Sequence, residues 1–239
     1  PDKVRYVPLS SQQRFPALQS GEIDVLNRNT TVTSGRDAGM NVTAPAIVFY
    51  DGQAFMVPKK LGVKSANELD GAQVCVQPGT SNEQNLVDWF STHKMKYRPV
   101  VIENLVELEN AFYAGRCDVY LSDASTLAAS RSARAGNAND FVILPERVNK
   151  SPLSPWVRDN DTQWIDIVRW TVHAVVAAEE LGITSKNVDS FNTSKDPQVR
   201  RLLGLDAGIG KTFGLNEKWA YNVIKAVGNY GEIWDRNVG

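Results

Sequence analysis

Residues 21–36, GEIDVLNRNTTVTSGR, join a short apolar segment to a run of side chains that can bind a polar ligand. Residues 23–26 predict a buried strand, and the following run carries the amide of Asn29 and several threonine hydroxyls. Arg36 ends the run with a forked guanidinium that matches a carboxylate bidentately. Because ligands of open α/β sheets lie beyond the carboxyl ends of the strands, this run is either a binding site or a polar turn.

A second copy of the pattern favours a site. ALQSGEIDVLNRN, from Ala17, and AFYAGRCDVYLSD, from Ala111, share the order of alanine, glycine, Asp-Val and a change from apolar to polar residues. Each copy follows a predicted strand, so each predicts a strand–helix–strand unit with polar residues at its end. We therefore expect the polar run and Ser122-Asp123 to face one cleft.

A third polar segment follows the predicted strand 74–76. The loop QPGTSN, residues 77–82, leads directly into a helix whose first backbone N–H groups have no partner within the helix. Such a helix start favours an anion. No Lys-Ser or Lys-Thr follows the glycine, so the loop does not have the phosphate-binding pattern of nucleotide-binding proteins.

Composition limits the classes of function. The 239 residues are 42% hydrophobic, enough for one large domain or two small ones, and 26 basic and 27 acidic residues are evenly mixed for a net charge of −1. No basic stripe predicts a nucleic-acid partner or a membrane surface. The longest apolar run, residues 172–178, is too short to span a bilayer. The chain begins at Pro1, which we interpret as a processed, trimmed or partial chain.

Hydrophobic periodicity predicts an α/β protein with a helical C-terminal part. The predicted strands are residues 3–8, 23–26, 46–49, 54–57, 74–76, 97–102, 117–121 and 141–144. Helices are predicted from residue 10 or 11 to Gly21, after the loop at 77–82, and at 105–113, 162–181, 197–203, 217–227 and 230–236. The two cysteines, Cys75 and Cys117, lie in predicted strands and are either free core thiols or one disulfide.

The sequence resembles the periplasmic amino-acid-binding proteins of ABC importers, most closely the general L-amino-acid-binding group. The resemblance rests on RFPALQSGEIDVLNRNTTVTSGRD, FYDGQAFMV, GAQVCVQPGTSNEQNL, AGRCDVYLSDASTL and KAVGNYGEIWDRNVG, which follow one another in the family's order. It implies a two-lobe fold of the periplasmic-binding-protein type II kind. The implied lobe one is residues 1–54 with 150–239, and lobe two is residues 55–149. By this comparison lobe one lacks its opening strand and helix, and the C-terminus is shortened.

The resemblance also implies roles for individual residues. Arg36 matches the arginine that pairs with the ligand α-carboxylate, and Thr31 matches a hydroxyl residue beside it. Ser81 matches the residue of the second lobe that meets this carboxylate at a helix start. Asn29 matches a position near the α-amino group, and Asp123 matches the acid that holds the ammonium. In this group Cys75 and Cys117 correspond to a disulfide pair.

The function implied by the resemblance is capture of one free L-amino acid for the membrane subunits of an ABC importer, in the periplasm. We expect no enzymatic activity, no cofactor, no metal and no nucleic-acid partner.

Two other functions remain open at this stage. A relative without its opening strand could have lost amino-acid binding and act as an interaction module, as a homodimer through lobe one. A dehydratase-like enzyme on the same scaffold would need a general acid, for which Asp123 or Glu83 is available, whereas His93 and His173 lie in ordinary helical contexts.

Overall fold

Strands and helices are mixed along the chain, as the periodicity predicts. The computed structural model describes residues 3–238. The strands are β1 (Val42–Thr43), β2 (Phe49–Asp51), β3 (Gln53–Pro58), β4 (Ala72–Val76), β5 (Tyr97–Val101), β6 (Val119–Asp123), β7 (Phe141–Ile143), β8 (Ser151–Leu153) and β9 (Val157–Arg158). The α-helices are α1 (Arg14–Ser20), α2 (Ser34–Gly39), α3 (Ser81–Thr92), α4 (Leu105–Tyr113), α5 (Ala124–Arg134), α6 (Thr162–Glu180), α7 (Pro197–Leu202), α8 (Ile209–Thr212), α9 (Trp219–Val227) and α10 (Tyr230–Asn237).

The chain divides into two compact units. The sheet unit comprises the residues up to Met40 and residues 49–154, and the helical unit comprises residues 41–48 and the residues from Pro155 onward. The predicted lobe boundaries stay a prediction, because compactness alone does not define which parts move as lobes. No helix within residues 3–238 is both long and apolar enough to cross a membrane.

A five-stranded sheet in the order β5-β4-β6-β3-β7 is the centre of the sheet unit. β4 is parallel to β5 and β6, whereas β3 runs antiparallel to β6 and β7. All six residues of β3 are buried. A strand that is buried on both faces has a continuous run of apolar residues. The segment FMV, residues 55–57 of β3, is such a run, and it was therefore recognisable in the sequence.

Alternate side chains of these strands supply two separate cores. Phe55 and Val57 of β3 pack on one face of the sheet, where α3 contributes Leu86 and Phe90. The opposite core contains side chains from β3, β4 and β6, from α4 and from the start of α5, namely Ala54, Met56, Cys75, Tyr120, Leu108, Ala111, Phe112 and Leu127. The period of two along each strand assigns its residues to the two cores.

Two predicted strands near the start of the chain are wrong, and of the strand predicted at residues 46–49 only Phe49 lies in a strand, β2. Residues 3–8 and residues 23–26 form no ladder, and Leu26 makes only an isolated bridge. A strand exists only where a second strand satisfies its backbone groups, and apolar content alone does not provide one. Here the paired segments are instead β2 with β8, and Thr31 bridges to Leu153.

The helical unit confirms the predicted helical C-terminal part. Its longest helix, α6, begins after Asp161, whose side chain accepts a hydrogen bond from the Trp164 backbone N–H. The core of the unit contains Ala178, Ile183, Val188, Val199, Leu203 and Ile224. A short antiparallel pair, β1 with β9, completes it.

The predicted disulfide between Cys75 and Cys117 is confirmed. The two Cα atoms lie 5.7 Å apart, and the cysteines are separated by 42 residues in sequence. Cys75 lies in β4 and Cys117 lies two residues before β6, so the bond links two neighbouring strands of the sheet.

Replacing both cysteines by alanine is expected to lower the free energy of unfolding by about 2–4 kcal/mol. A loop of this length corresponds to about 4 kcal/mol of lost chain entropy in the unfolded state. Urea denaturation of the oxidised protein and the double variant measures the effect. Equal unfolding midpoints for the two proteins would contradict the expectation.

Candidate functional site

A cavity of about 120 Å³ lies within the sheet unit, at the ends of β4 and β6. Its wall contains Ser11 and Arg14, then Arg28, Asn29 and Thr31, the loop and helix start after β4, the end of β6, and the single residues Leu105 and Thr126. The polar residues from the loop, the helix start and the end of β6 are Gln77, Thr80, Ser81, Asn82, Ser122 and Asp123. The volume is below the roughly 300–1,000 Å³ of pockets for drug-sized ligands, so the cavity suits a small molecule.

Four of the five predicted ligand-binding residues line this cavity and contact one another in pairs. The Asn29 amide donates hydrogen bonds to the Asp123 carboxylate at 3.1 Å and to the Thr126 hydroxyl at 3.4 Å. The Ser81 and Thr31 hydroxyls lie 3.3 Å apart. The polar run and Ser122-Asp123 therefore meet, as the repeated pattern predicts.

The fifth predicted residue, Arg36, lies outside the cavity wall. Its guanidinium donates to the Thr31 carbonyl at 2.8 Å and lies 5.2 Å from the centre of the Phe15 ring. The Thr33 hydroxyl accepts a hydrogen bond from the Arg36 backbone N–H and caps α2. Burial lowers the pKa of Arg36, and the negative charge of Asp123 opposes this effect.

Two arginines that the sequence did not single out line the cavity instead. Arg14, on α1, is 3% exposed and donates to the Thr30 hydroxyl at 3.2 Å. Arg28 is partly buried and donates to the Leu9 carbonyl at 3.5 Å. Burial, together with repulsion from Arg36 and Arg28, lowers the pKa of Arg14 to about 9, so Arg14 remains charged at neutral pH.

A sequence signal for Arg14 does exist. Arg14 and Leu18 are four residues apart, so they share one face of α1, and both are buried. A charged residue on the apolar face of a helix is rarely buried unless it has a role or a partner. No comparable signal distinguishes Arg28 from an exposed arginine.

Asp123 is a buried acid with one unused oxygen. It is 2% exposed, Asn29 bonds one carboxylate oxygen, and the other has no partner among residues 3–238. The pKa of Asp123 is raised to about 6, first because burial disfavours the charged carboxylate and second because Asp51 lies nearby. The hydrogen bond from Asn29 and the charges of Arg14 and Arg36 act against this rise.

Gln53 connects two parts of the site, the end of β6 and the start of α3. It lies opposite Asp123 in the β3–β6 ladder. Its side chain donates to the Ser81 hydroxyl at 3.1 Å and accepts from Asn85 at 2.8 Å. The same residue thus connects β6 to the start of α3. No cluster of histidine, cysteine and acidic residues within the described part of the chain could hold a metal ion.

The raised pKa of Asp123 predicts a pH-dependent stability of the ligand-free protein. In the unfolded chain Asp123 ionises near its ordinary pKa of 3.8, whereas in the folded protein burial raises its pKa to about 6. Between these values the folded state binds more protons, so the contribution of Asp123 to stability falls as the pH rises. The difference between the two pKa values of Asp123 corresponds to a loss of about 3 kcal/mol in the free energy of unfolding at neutral pH.

In the Asp123→Asn variant the side chain at position 123 cannot ionise, so the variant does not lose stability through this group as the pH rises. Urea denaturation of both proteins between pH 4 and pH 7 should show the variant gaining about 2–2.5 kcal/mol relative to the wild type as the pH rises. A constant difference across this range would contradict the assignment.

Similarity to known proteins agrees with this architecture. Residues 1–187 match the family of bacterial extracellular solute-binding proteins, family 3. The whole chain is 53% identical to the general L-amino acid-binding periplasmic protein AapJ of Rhizobium johnstonii, over 70% of that protein. It is 52% identical to the glutamate/glutamine/aspartate/asparagine-binding protein BztA of Rhodobacter capsulatus, over 71% of that protein.

Among solved structures, a periplasmic binding protein of an ABC transporter from Brucella ovis, with glutathione bound, is similar with a TM-score of 0.95. The two are 48% identical, over 99% of this chain and 75% of the Brucella protein. The predicted two-lobe type II fold is thereby confirmed. The chain belongs to the bacterial extracellular solute-binding proteins, family 3.

Proposed function

We propose that this protein captures one free L-amino acid in the cavity of the sheet unit and delivers it to the membrane subunits of an ABC importer, in the periplasm. The observation that carries the proposal is the meeting of Asn29, Thr31, Ser81 and Asp123 around one cavity. The names of AapJ and BztA, which describe amino-acid-binding proteins, support it.

The site offers complementary groups for both ends of a zwitterion. The unused oxygen of Asp123 accepts from the α-ammonium, and Asn29 holds the other oxygen in position. The hydroxyls of Thr31 and Ser81, with the helix start at Ser81, face the α-carboxylate. Arg36 reaches this carboxylate once its guanidinium leaves the Thr31 carbonyl. In this assignment the ligand contacts both proposed lobes, residues 1–54 with 150–239 and residues 55–149.

We propose a binding role and no catalysis, in line with the binding proteins to which the chain is similar. Incubation with a prephenate-like substrate tests the dehydratase alternative, and turnover would contradict the proposal. A homodimer through lobe one stays a prediction, and sedimentation velocity that gives only a monomer would remove it.

Calorimetric titration with the L-amino acids, after endogenous ligand has been removed, tests the proposed function. We expect one ligand per chain, with micromolar or tighter affinity for at least one L-amino acid and none for its D-enantiomer. Glutathione is a separate arm, because the Brucella ovis protein has it bound. No heat with any L-amino acid would overturn the proposal.

A further inference from the structure

The cavity contains more positive charge than a neutral amino acid can use. Its wall carries two arginines, Arg14 and Arg28, and one acid, Asp123. Arg36 lies close enough that its charge acts on both Asp123 and Arg14. A zwitterion brings one carboxylate and one ammonium, so it leaves this excess unchanged.

We propose that the cavity selects amino acids with a second carboxylate, on the side chain, and that Arg14 and Arg28 bind it. The inference rests on the proposed function and adds the substrate class to it. One guanidinium suffices for the α-carboxylate. The remaining guanidinium groups match an additional anionic group, and bidentate pairing makes arginine well suited to it.

Arg14 lines the cavity, and its hydrogen bonding is incomplete. One terminal nitrogen of its guanidinium donates to the Thr30 hydroxyl, but its buried Nε has no hydrogen-bond acceptor in the described part of the chain. A buried donor without a partner costs about 1–3 kcal/mol. Arg14 thus brings an incompletely hydrogen-bonded guanidinium to the wall, and a carboxylate bound beside it would supply acceptors.

Arg28 provides the second guanidinium, and it has only a weak hydrogen bond to lose when it turns toward a ligand. It is partly buried, and its one recorded hydrogen bond within residues 3–238 is the 3.5 Å contact with the Leu9 carbonyl. This bond lies outside the ordinary distance range, so Arg28 can turn toward a ligand without losing much. Its guanidinium is also near enough to Asp123 for their charges to interact.

Nearby acids do not cancel the excess. The charge of Asp51 acts on Asp123, but the three arginines Arg14, Arg28 and Arg36 still outnumber these two acids. The Asp51 carboxylate also accepts hydrogen bonds from the Gly52 backbone N–H and from the backbone N–H and hydroxyl of Ser125. Asp123 is needed for the ammonium. The N-terminus of α3, at Ser81, adds further positive potential to the wall.

The test compares L-glutamate with L-glutamine, which have almost the same shape and differ by one charge. Calorimetric titrations use the wild type, Arg28→Gln and a control, Arg98→Gln, which removes an exposed arginine from β5 of the same unit. We expect the wild type to bind glutamate at least about tenfold more tightly than glutamine, since a charged hydrogen-bonded pair contributes about 1.5–3 kcal/mol.

Arg28→Gln should reduce the preference for glutamate to about threefold or less and leave the glutamine affinity nearly unchanged, whereas Arg98→Gln should keep the wild-type preference. Unchanged glutamine binding also shows that Arg28→Gln is folded. Glutamine binding as tight as glutamate in the wild type overturns this inference alone. A preference that survives Arg28→Gln overturns the assignment to Arg28. Binding of no amino acid overturns the proposed function and, with it, this inference.

Discussion

Asp123→Asn is expected to lower the affinity for an L-amino acid at least about 100-fold. The unused carboxylate oxygen of Asp123 is the proposed acceptor for the α-ammonium, and the residue Asp123 is 2% exposed. Removing one partner of a buried, hydrogen-bonded charge pair costs about 2–5 kcal/mol, and about 100-fold in affinity is the lower part of this range. Calorimetric titration with the best ligand of the wild type measures the loss.

Asp118→Asn is the matched control for this experiment. Asp118 lies just before β6, and its carboxylate accepts a hydrogen bond from the Gln73 backbone N–H outside the cavity wall. The Asp118→Asn substitution removes the same charge as Asp123→Asn from the same part of the chain. The affinity of this variant for the amino acid should stay within about twofold of the wild-type affinity, as for a surface substitution. Similar losses for the two variants would show that Asp123 acts only through the overall charge.

Phe55→Ala is expected to lower the free energy of unfolding by about 3–5 kcal/mol. Phe55 is fully buried in β3, between β6 and β7. Its ring centre lies 5.8 Å from that of Trp89 and 6.3 Å from that of Phe90. Truncation removes a large apolar surface and leaves a cavity that a strand inside a sheet cannot close. Urea denaturation measures the change.

Tyr50→Ala is the control for Phe55→Ala, because Tyr50 is also an aromatic residue of a strand but is 69% exposed. Its replacement should change stability by less than about 0.5 kcal/mol, as is usual at the surface. A loss below about 1.5 kcal/mol for Phe55→Ala would mean that the core of the sheet rearranges to fill the space.

The sheet could be predicted from the sequence because its strands are continuous apolar segments with polar ends. The strands predicted at 54–57, 74–76, 97–102, 117–121 and 141–144 correspond to β3, β4, β5, β6 and β7 with shifts of at most two residues at the ends. Helix α5 was missed, because ASTLAASRSAR buries only Leu127 and Ser130. With so few buried residues, no helical period stands out from the sequence.

The first part of the chain shows where sequence reasoning fails. Residues 3–8 and 23–26 have the composition of strands, but strand formation depends on a partner elsewhere in the chain. In contrast, α1 was recognisable, because its apolar residues follow the helical period and Gly21 ends it with a positive φ of 81°. Local signals therefore predicted the helix, and the non-local pairing could not be predicted.

The candidate site was predicted from polar residues at strand ends, and these do gather at one cavity. Arg14 and Arg28 were missed for a different reason. An arginine is usually an exposed residue, so the position of Arg14 on the apolar face of α1 is a weak signal, and Arg28 has no signal at all. Whether an arginine reaches a cavity depends on how α1 packs, and helix packing is a tertiary property. Arg36 was singled out by its forked guanidinium, and the resemblance then assigned it to the α-carboxylate, but its position outside the wall depends on tertiary packing.

The pairing of Gln53 with Asp123 in the β3–β6 ladder has a consequence for how the sequence can vary. Side chains alternate between the two faces of a sheet, so one residue more or fewer in β6 would turn the Asp123 carboxylate to the opposite face. The charge of the cavity thus depends on the length of this strand as well as on its residue types. Functional variants should therefore accept substitutions at several positions of β6 but no single-residue insertion or deletion between Val119 and Asp123.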